Sequence, residues 1–528
     1  MKKYQYFFAL FGLLIISPLL FWLSWPPNTW TGLVFFAFIP YFFSFEYLVR
    51  QKETKRYFFL LLIFSSNLIW NILVTYWLYS ISFTTGIAIQ ITNSTMFTIP
   101  WAVYSYADKS SHKNMRYILL ISSWISLEYI QYYWLLSYPL LNIGNALSTK
   151  PQWIQFMEYT GVLGGTFWVL VSNLFLFKFF KEGIKKGFHL STYTTLAKSV
   201  AVISFPLIFS LIIFNSYKEK NEKVNVLIIH PNVNCRTEKY TMSQEKLIDK
   251  YLNLTLEKVG PETDFILWPE TAIPDLGWIV DLSDNKDLAR IHNKLSQVSN
   301  ANLITGGVLY EKSNEEGGLN INYHGPSKAW YRTYNAAISL SLVDDKLSIR
   351  TKEKLVPVEE TIPNRIAYFL RKTFSSLGGF HFSHRANNTD IFINADGVSS
   401  LPLICYESLY GQFTSRKVGH RKGIIFVLLN EGWYRNIVGA SQFMYASCIR
   451  AIENRRSIAR SSNDGISCTI NEKGQVENMI SGFAPHAFNT QLTLNNEKTF
   501  YSIVGNYFGY LSIIVCVFCL FIVIFIKS

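Results

Sequence analysis

Charge is scarce in this chain of 528 residues: Lys and Arg number 49, Asp and Glu 36, and together they make up 16% of it. Soluble domains carry about 25%. With 49% hydrophobic and 16% aromatic residues, the shortfall excludes a disordered chain and an ordinary cytosolic enzyme. Cysteine is scarce as well, and six in so long a chain exclude a disulfide scaffold. Internal repeats and low-complexity stretches are missing, which excludes solenoids and arrays. Acidic residues are outnumbered, leaving a net charge of +13. That balance invites nucleic acid as a partner, but the placement of the basic residues explains it otherwise.

What is abundant is apolar sequence in long runs. A helical span needs about 20 mostly apolar residues, and eight runs qualify, near 6–24, 30–49, 57–80, 85–106, 117–136, 161–180, 197–215 and 503–526. Between them, residues 217–500 turn polar and contain no such run. The expected organisation is a membrane domain of about seven helices over 1–216, a catalytic α/β domain over 217–500 and a closing span over 501–528. Lys2 and Lys3, then Arg50, Lys52, Lys55 and Arg56, then Lys109, Lys113 and Arg116, then Lys178, Lys181, Lys185 and Lys186, and finally Lys527 mark alternate loops. Lys150 is the main exception. Positive loops stay cytoplasmic, so the polar domain is expected on the far, exoplasmic side. The first run lacks a small-x-small cleavage site before Trp25-Pro26-Pro27 and reads as an uncleaved span rather than a signal peptide.

Within the polar domain, β-branched runs at 224–229, 265–268, 303–308, 336–342, 401–405 and 423–429 read as buried strands. Helical patterns at 243–258, 287–298 and 440–456 alternate with them, which implies an α/β layered fold. Three strand ends carry reactive groups. Glu270 follows one strand between Pro269 and Pro274, Lys352 precedes Val356-Pro357 with Glu359 and Glu360 behind, and Cys405 ends the third before Tyr406 and Glu407. Each has a bland reading: a core cysteine, a proline turn, a solvated lysine. Together they form a reaction. A thiol with pKa about 8.5 needs a base to become a nucleophile, which Glu270 can be. The oxyanion formed on an attacked acyl group needs a fixed cation, which Lys352 can be.

These segments, Trp268–Pro274, Lys352–Glu360 and Leu403–Glu407, resemble in order the three motifs of the carbon–nitrogen hydrolase (nitrilase) superfamily. With the flanking spans, the chain resembles the superfamily's membrane-integrated branch, the apolipoprotein N-acyltransferases. The likeness extends to Trp124 through Glu128, Tyr138 through Asn145, Gln155 through Gly165, Tyr334-Asn335-Ala336, Asn430 through Trp433 and Arg455 through Gly465. It implies an αββα sandwich, with Glu270 as general base, Lys352 on the oxyanion side and Cys405 as nucleophile. It further implies Glu360 as a second essential carboxylate and Tyr406 and Glu407 as site neighbours. Asn335, Trp433 and, by a looser match, Tyr240 are implied as supporting residues. Arg435 stands where the family pattern has glycine. The implied reaction takes an acyl chain from a phospholipid through a cysteine thioester to the α-amine of a diacylglyceryl-cysteine lipoprotein, at a bacterial inner membrane. The soluble members use water, so a tethered amidase is the second enzyme reading. A transporter or sensor with an inactive binding domain is the third.

Other features read more plainly. Cys516 and Cys519, three apart in an apolar span, are packing residues, while a bridge among Cys235, Cys448 and Cys468 stays open. His381 and His384 lack a third ligand nearby, so neither metal nor cofactor is expected. Glu128 lies inside a span, at a cost of about 2.5–3.5 kcal/mol on insertion scales, as either a structural or a substrate contact. Residues 362–382, aromatic and basic, read as a surface helix or a lid dipping into the membrane. Nothing demands more than a monomer.

The loop charges generate a direct expectation. A reporter fused after Lys186 will be cytoplasmic and one inserted at Asn314 exoplasmic, scored by compartment-specific labelling; the reverse pattern contradicts the topology.

Overall fold

The computed structural model describes residues 2–525 apart from 51–54, 110–113, 135, 188, 317–320, 326–327, 358, 361–381, 384–390, 420 and 483. The expected surface helix or lid at 362–382 falls almost wholly outside the described residues, as do His381 and His384. The chain forms two compact units, Met1–Tyr217 with Val504–Ser528, and Lys218–Ile503.

The first unit is helical. All eight apolar runs form helix, but among the described residues six helices are long and apolar enough to cross a membrane. The two that fall short of the expectation do so for visible reasons. Phe83–Ala107 carries Gln90, Asn93 and a series of Ser and Thr, and Met115–Gln131 is only 17 residues long. Their polar groups face one another. Gln131 Nε2 donates to Asn93 Oδ1 at 2.8 Å, and Gln90 Nε2 to Thr75 Oγ1 at 3.3 Å. Apolar surroundings supply no water to such groups, so they pair across helices.

Glu128 belongs to the same logic. Fully buried, its carboxylate accepts from Trp124 Nε1 at 3.0 Å, Ile143 N at 2.8 Å and Thr166 Oγ1 at 2.6 Å. These contacts make Glu128 a clasp that joins its own helix to the Ile143–Leu147 turn and the Met157–Lys186 helix. Gly144 fits there because a Cβ would run into the Val162 carbonyl. Elsewhere in the unit, basic residues of three loops share two carboxylates. Arg116 and Lys181 meet Glu46 at 3.2 and 2.9 Å, while Arg50, Arg56 and Arg116 converge on Asp108. Cys519 packs with Ala107 and Leu119, as a packing residue should.

The second unit holds two sheets. The first runs in the order β13-β1-β2-β3-β5-β4 with β6 beside β5, and the second β12-β11-β10-β9-β8-β7. The strands are β1 (Lys223–His230), β2 (Phe265–Leu267), β3 (Asn302–Lys312), β4 (Asn322–His324), β5 (Ala329–Ser341), β6 (Leu347–Thr351), β7 (Phe392–Ile393), β8 (Ser399–Ile404), β9 (Gly423–Leu429), β10 (Ile458–Ser462), β11 (Gly465–Ile470), β12 (Val476–Gly482) and β13 (His486–Thr493). Between the sheets, Val226, Ile228, Phe265 and Ile304 meet Ile404, Phe426, Leu428 and Ala459 in one buried core. The outer face of the first sheet packs Leu247, Tyr251, Leu288 and Ile291 from helices Gln244–Leu256 and Lys286–Leu295. Helix Ile437–Asn454, almost wholly buried, lies against the second sheet. This is the αββα sandwich. Strands buried on both faces read as continuous apolar runs, which is why β1 and β9 were legible; β10 to β13, richer in Ser, Thr and Asn, were not.

Candidate active site

Glu270 is positioned by a turn that leaves β2 and lies across β3. Trp268 N donates to Ile304 O at 2.8 Å, Gly306 N to Pro269 O at 3.1 Å and Ile273 N to Gly306 O at 3.1 Å. The approach is so close that a Cβ on Gly306 would sit 2.7 Å from Glu270 Cα and from Pro269 O. Thr271 completes the turn at φ +47°, a left-handed conformation that β-branched residues seldom adopt.

Lys352 follows β6 and prolongs its pairing with β5, donating its backbone N–H to Asn335 O at 2.8 Å. Its buried Nζ donates to Glu360 Oε1 at 2.8 Å and to Glu270 Oε1 at 3.1 Å. Asn335 bridges the same two carboxylates, with Nδ2 at 2.7 Å from Glu270 Oε1 and 3.3 Å from Glu360 Oε1. Eight residues separate Lys352 from Glu360 because the intervening turn folds back: Val356 N donates to Glu360 Oε2 at 2.8 Å. Burial alone would push the Lys352 ammonium down, but Glu270, Glu360 and Cys405 outweigh it and hold it above the usual lysine range. It stays a cation.

Cys405 follows β8 at φ +49° and opens the short turn Cys405–Leu409. Burial pushes its thiol well above the ordinary range, Glu270, Glu360 and Glu431 push the same way, and Lys352 opposes them. The resting group is therefore a thiol.

Two segments of the chain match known families. Residues 17–175 match the N-terminal domain of apolipoprotein N-acyltransferases, and residues 231–496 match the carbon–nitrogen hydrolases. The chain belongs to the carbon–nitrogen hydrolase family. It is 26% identical over 507 residues to the apolipoprotein N-acyltransferase of Chlorobaculum tepidum, covering 93% of this chain and 92% of that protein. It is 26% identical over 563 residues to apolipoprotein N-acyltransferase 1 of Treponema denticola, covering 100% and 98%. The Rickettsia prowazekii apolipoprotein N-acyltransferase is 26% identical over 417 residues, 76% of each chain.

Around this carbon–nitrogen hydrolase centre the other expected residues divide. Glu407, fully buried, accepts Arg350 in a two-pronged pair at 2.7 and 3.0 Å, Glu353 N at 2.7 Å and Ile404 N at 2.8 Å. It thereby fastens the lysine strand of one sheet to the cysteine strand of the other. Tyr406 is buried and packs on Tyr410 and Phe443, ring centroids 5.7 and 6.5 Å away. Tyr240 stacks on Trp433 at 6.2 Å and its hydroxyl reaches Thr271, so both aromatics lie beside the Glu270 turn. Arg435 has φ +37°, the conformation that suits the family's glycine, and pairs with Asp464 at 3.4 Å. Cys235, Cys448 and Cys468 are free thiols.

Three residues that shape the site carried no functional reading in the sequence: Thr271, Gly306 and Arg350. Arg350 had a usable signal, since it lies two residues before Lys352 and so on the same strand face. Removing it strands a buried carboxylate. Arg350→Met will lower unfolding stability by about 3–5 kcal/mol, measured by thermal unfolding in detergent, and adding Glu407→Gln will restore part of the loss. Wild-type stability in Arg350→Met contradicts the pairing's role.

Proposed function

We propose that this protein is a multi-pass membrane acyltransferase that matures lipoproteins. An acyl chain leaves a membrane phospholipid, rests on Cys405 as a thioester and passes to the α-amine of a diacylglyceryl-cysteine. The observation that carries the reading is a buried Lys352 cation shared by two carboxylates beside a protonated cysteine. The apolar helices of the first unit suit substrates that live in a bilayer, and the relatives' names supply the lipoprotein. In this reading residues 1–216 and 501–528 are membrane domain and closing span, and 217–500 is the catalytic domain. The same reading has that domain on the periplasmic side of the inner membrane, and the positive alternate loops support that orientation.

Glu270 takes the Cys405 proton as sulfur attacks the ester carbonyl. The developing oxyanion meets the Lys352 ammonium, whose field is strong because the site is buried. The C–O bond breaks, Glu270 returns its proton to the leaving alkoxide, and a lysophospholipid departs. The acceptor amine then attacks the thioester and gives its proton to Glu270. The C–S bond breaks and the thiolate recovers that proton, leaving an amide. A thioester tolerates the wait for an amine if water is kept away. Glu360 either keeps Lys352 in place or acts on the amine.

The two half-reactions separate these roles. With a phospholipid donor and a diacylglyceryl-peptide acceptor, Cys405→Ala will abolish transfer, and Glu270→Gln and Lys352→Ala will each slow it by roughly 10² or more. If Glu360→Gln loads the thioester but cannot pass it on, Glu360 acts in deacylation; failure to load places it in support of Lys352. Undiminished transfer by Cys405→Ala overturns the function proposed.

A further inference from the structure

Lys239 is a buried lysine that the proposed chemistry does not use, and its surroundings are unusual for one. Buried lysines ordinarily pair with a carboxylate. Here Nζ instead donates to the Glu270 carbonyl at 3.1 Å and to Thr271 Oγ1 at 2.5 Å, and the Asn430 amide lies 3.1 Å away, able to accept it in the flipped orientation that points its oxygen at Nζ. In that orientation the same oxygen also accepts Trp433 Nε1 at 3.2 Å. The ammonium thus spends its three protons on neutral oxygens, two of them on the turn that carries Glu270. The ionisable groups facing it are Glu270 and Cys235.

From this geometry we infer that Lys239 is a positioning residue for the general base: it locks the left-handed Thr271 turn and supplies the second positive charge of the site. Two observations require such a group. Thr271 holds φ +47° without being glycine, and a strained turn persists only where its surroundings fix it. In addition, Glu270 and Glu360 together outweigh Lys352 by one formal negative charge, and Lys239 balances the cluster without touching the carboxylate oxygens that must move a proton. A carboxylate in that position would compete for the proton; a lysine on the backbone carbonyl does not. The inference rests on the reading of Glu270 as base.

Burial lowers the Lys239 ammonium to about 8, with Glu270 and Cys235 opposing the shift. It is charged below that pH and neutral above it, so its contribution is lost as pH rises. The experiment measures thioester loading from phospholipid vesicles by the full-length protein across pH 6–10, in wild type, Lys239→Met and Lys239→Gln, with circular dichroism as the fold control. Wild type is expected to lose loading rate as pH rises through about 8. Both variants are expected to load roughly tenfold or more slowly at pH 7, without that descending limb. Lys239→Gln keeps donors and loses charge, so a wild-type rate in it overturns the role of the charge. A descending limb unchanged in Lys239→Met overturns the assignment altogether. Wild type that loads no thioester at any pH overturns the function proposed and this inference with it, whereas a loading wild type matched by Lys239→Met overturns the inference alone.

Discussion

A single buried ammonium held between two carboxylates sets the terms for the catalytic unit. Lys352 is buried, and an unpaired cation there would cost several kcal/mol. Glu270 and Glu360 make it tolerable, at 3.1 and 2.8 Å. The same contacts fix its protonation and aim it. Asn335 then holds the carboxylates together, so that Glu270, Lys352 and Glu360 form one hydrogen-bonded cluster. Burial and the carboxylates of this cluster push the neighbouring Cys405 thiol well above its ordinary range, with Lys352 opposing. In the function proposed, the same electrostatics couple the activation of Cys405 to the arrival of substrate.

Three segments of backbone have to meet for the cluster to exist, and each is held by a different device. Gly306 lets the Glu270 turn lie directly on β3. Register between β5 and β6 puts Lys352 level with Asn335. The Arg350–Glu407 pair spans the two sheets and takes up the backbone N–H groups of Glu353 and Ile404. Buried ion pairs add little net stability against an apolar alternative, yet a bidentate pair accepts only one geometry. Here that geometry sets how far the cysteine strand lies from the lysine strand. The membrane unit uses the same device in Glu128, whose three donors come from three elements.

The sequence displayed the parts that are chemically distinctive and concealed those that act through backbone. Glu270, Lys352 and Cys405 stood out because each ends an apolar strand, and Glu360 because the resemblance puts a second carboxylate there. Long apolar runs pointed to eight helices, six of them membrane-competent among the described residues; strand–helix alternation pointed to an α/β layered fold, and the resemblance to the αββα sandwich. Phe83–Ala107 and Met115–Gln131 were read as ordinary spans because apolar counting overlooks buried polar residues such as Asn93 and Gln131, which hydrogen-bond across the two helices. Lys239 looked like one more charge in a polar loop, since nothing local says that its partner lies at Glu270. Arg350 and Gly306 were hidden for the same reason: their importance is a property of pairing between strands distant in sequence.

The central claim is that Cys405 carries the acyl chain. Full-length protein incubated with phospholipid vesicles and no acceptor, then digested and analysed by mass spectrometry, tests it most directly. One acyl group is predicted on the peptide containing Cys405, released by neutral hydroxylamine and discharged when a diacylglyceryl-cysteine peptide is added. An acyl group on any other residue, or transfer to the acceptor with no adduct at Cys405 on the time scale of turnover, would contradict the account.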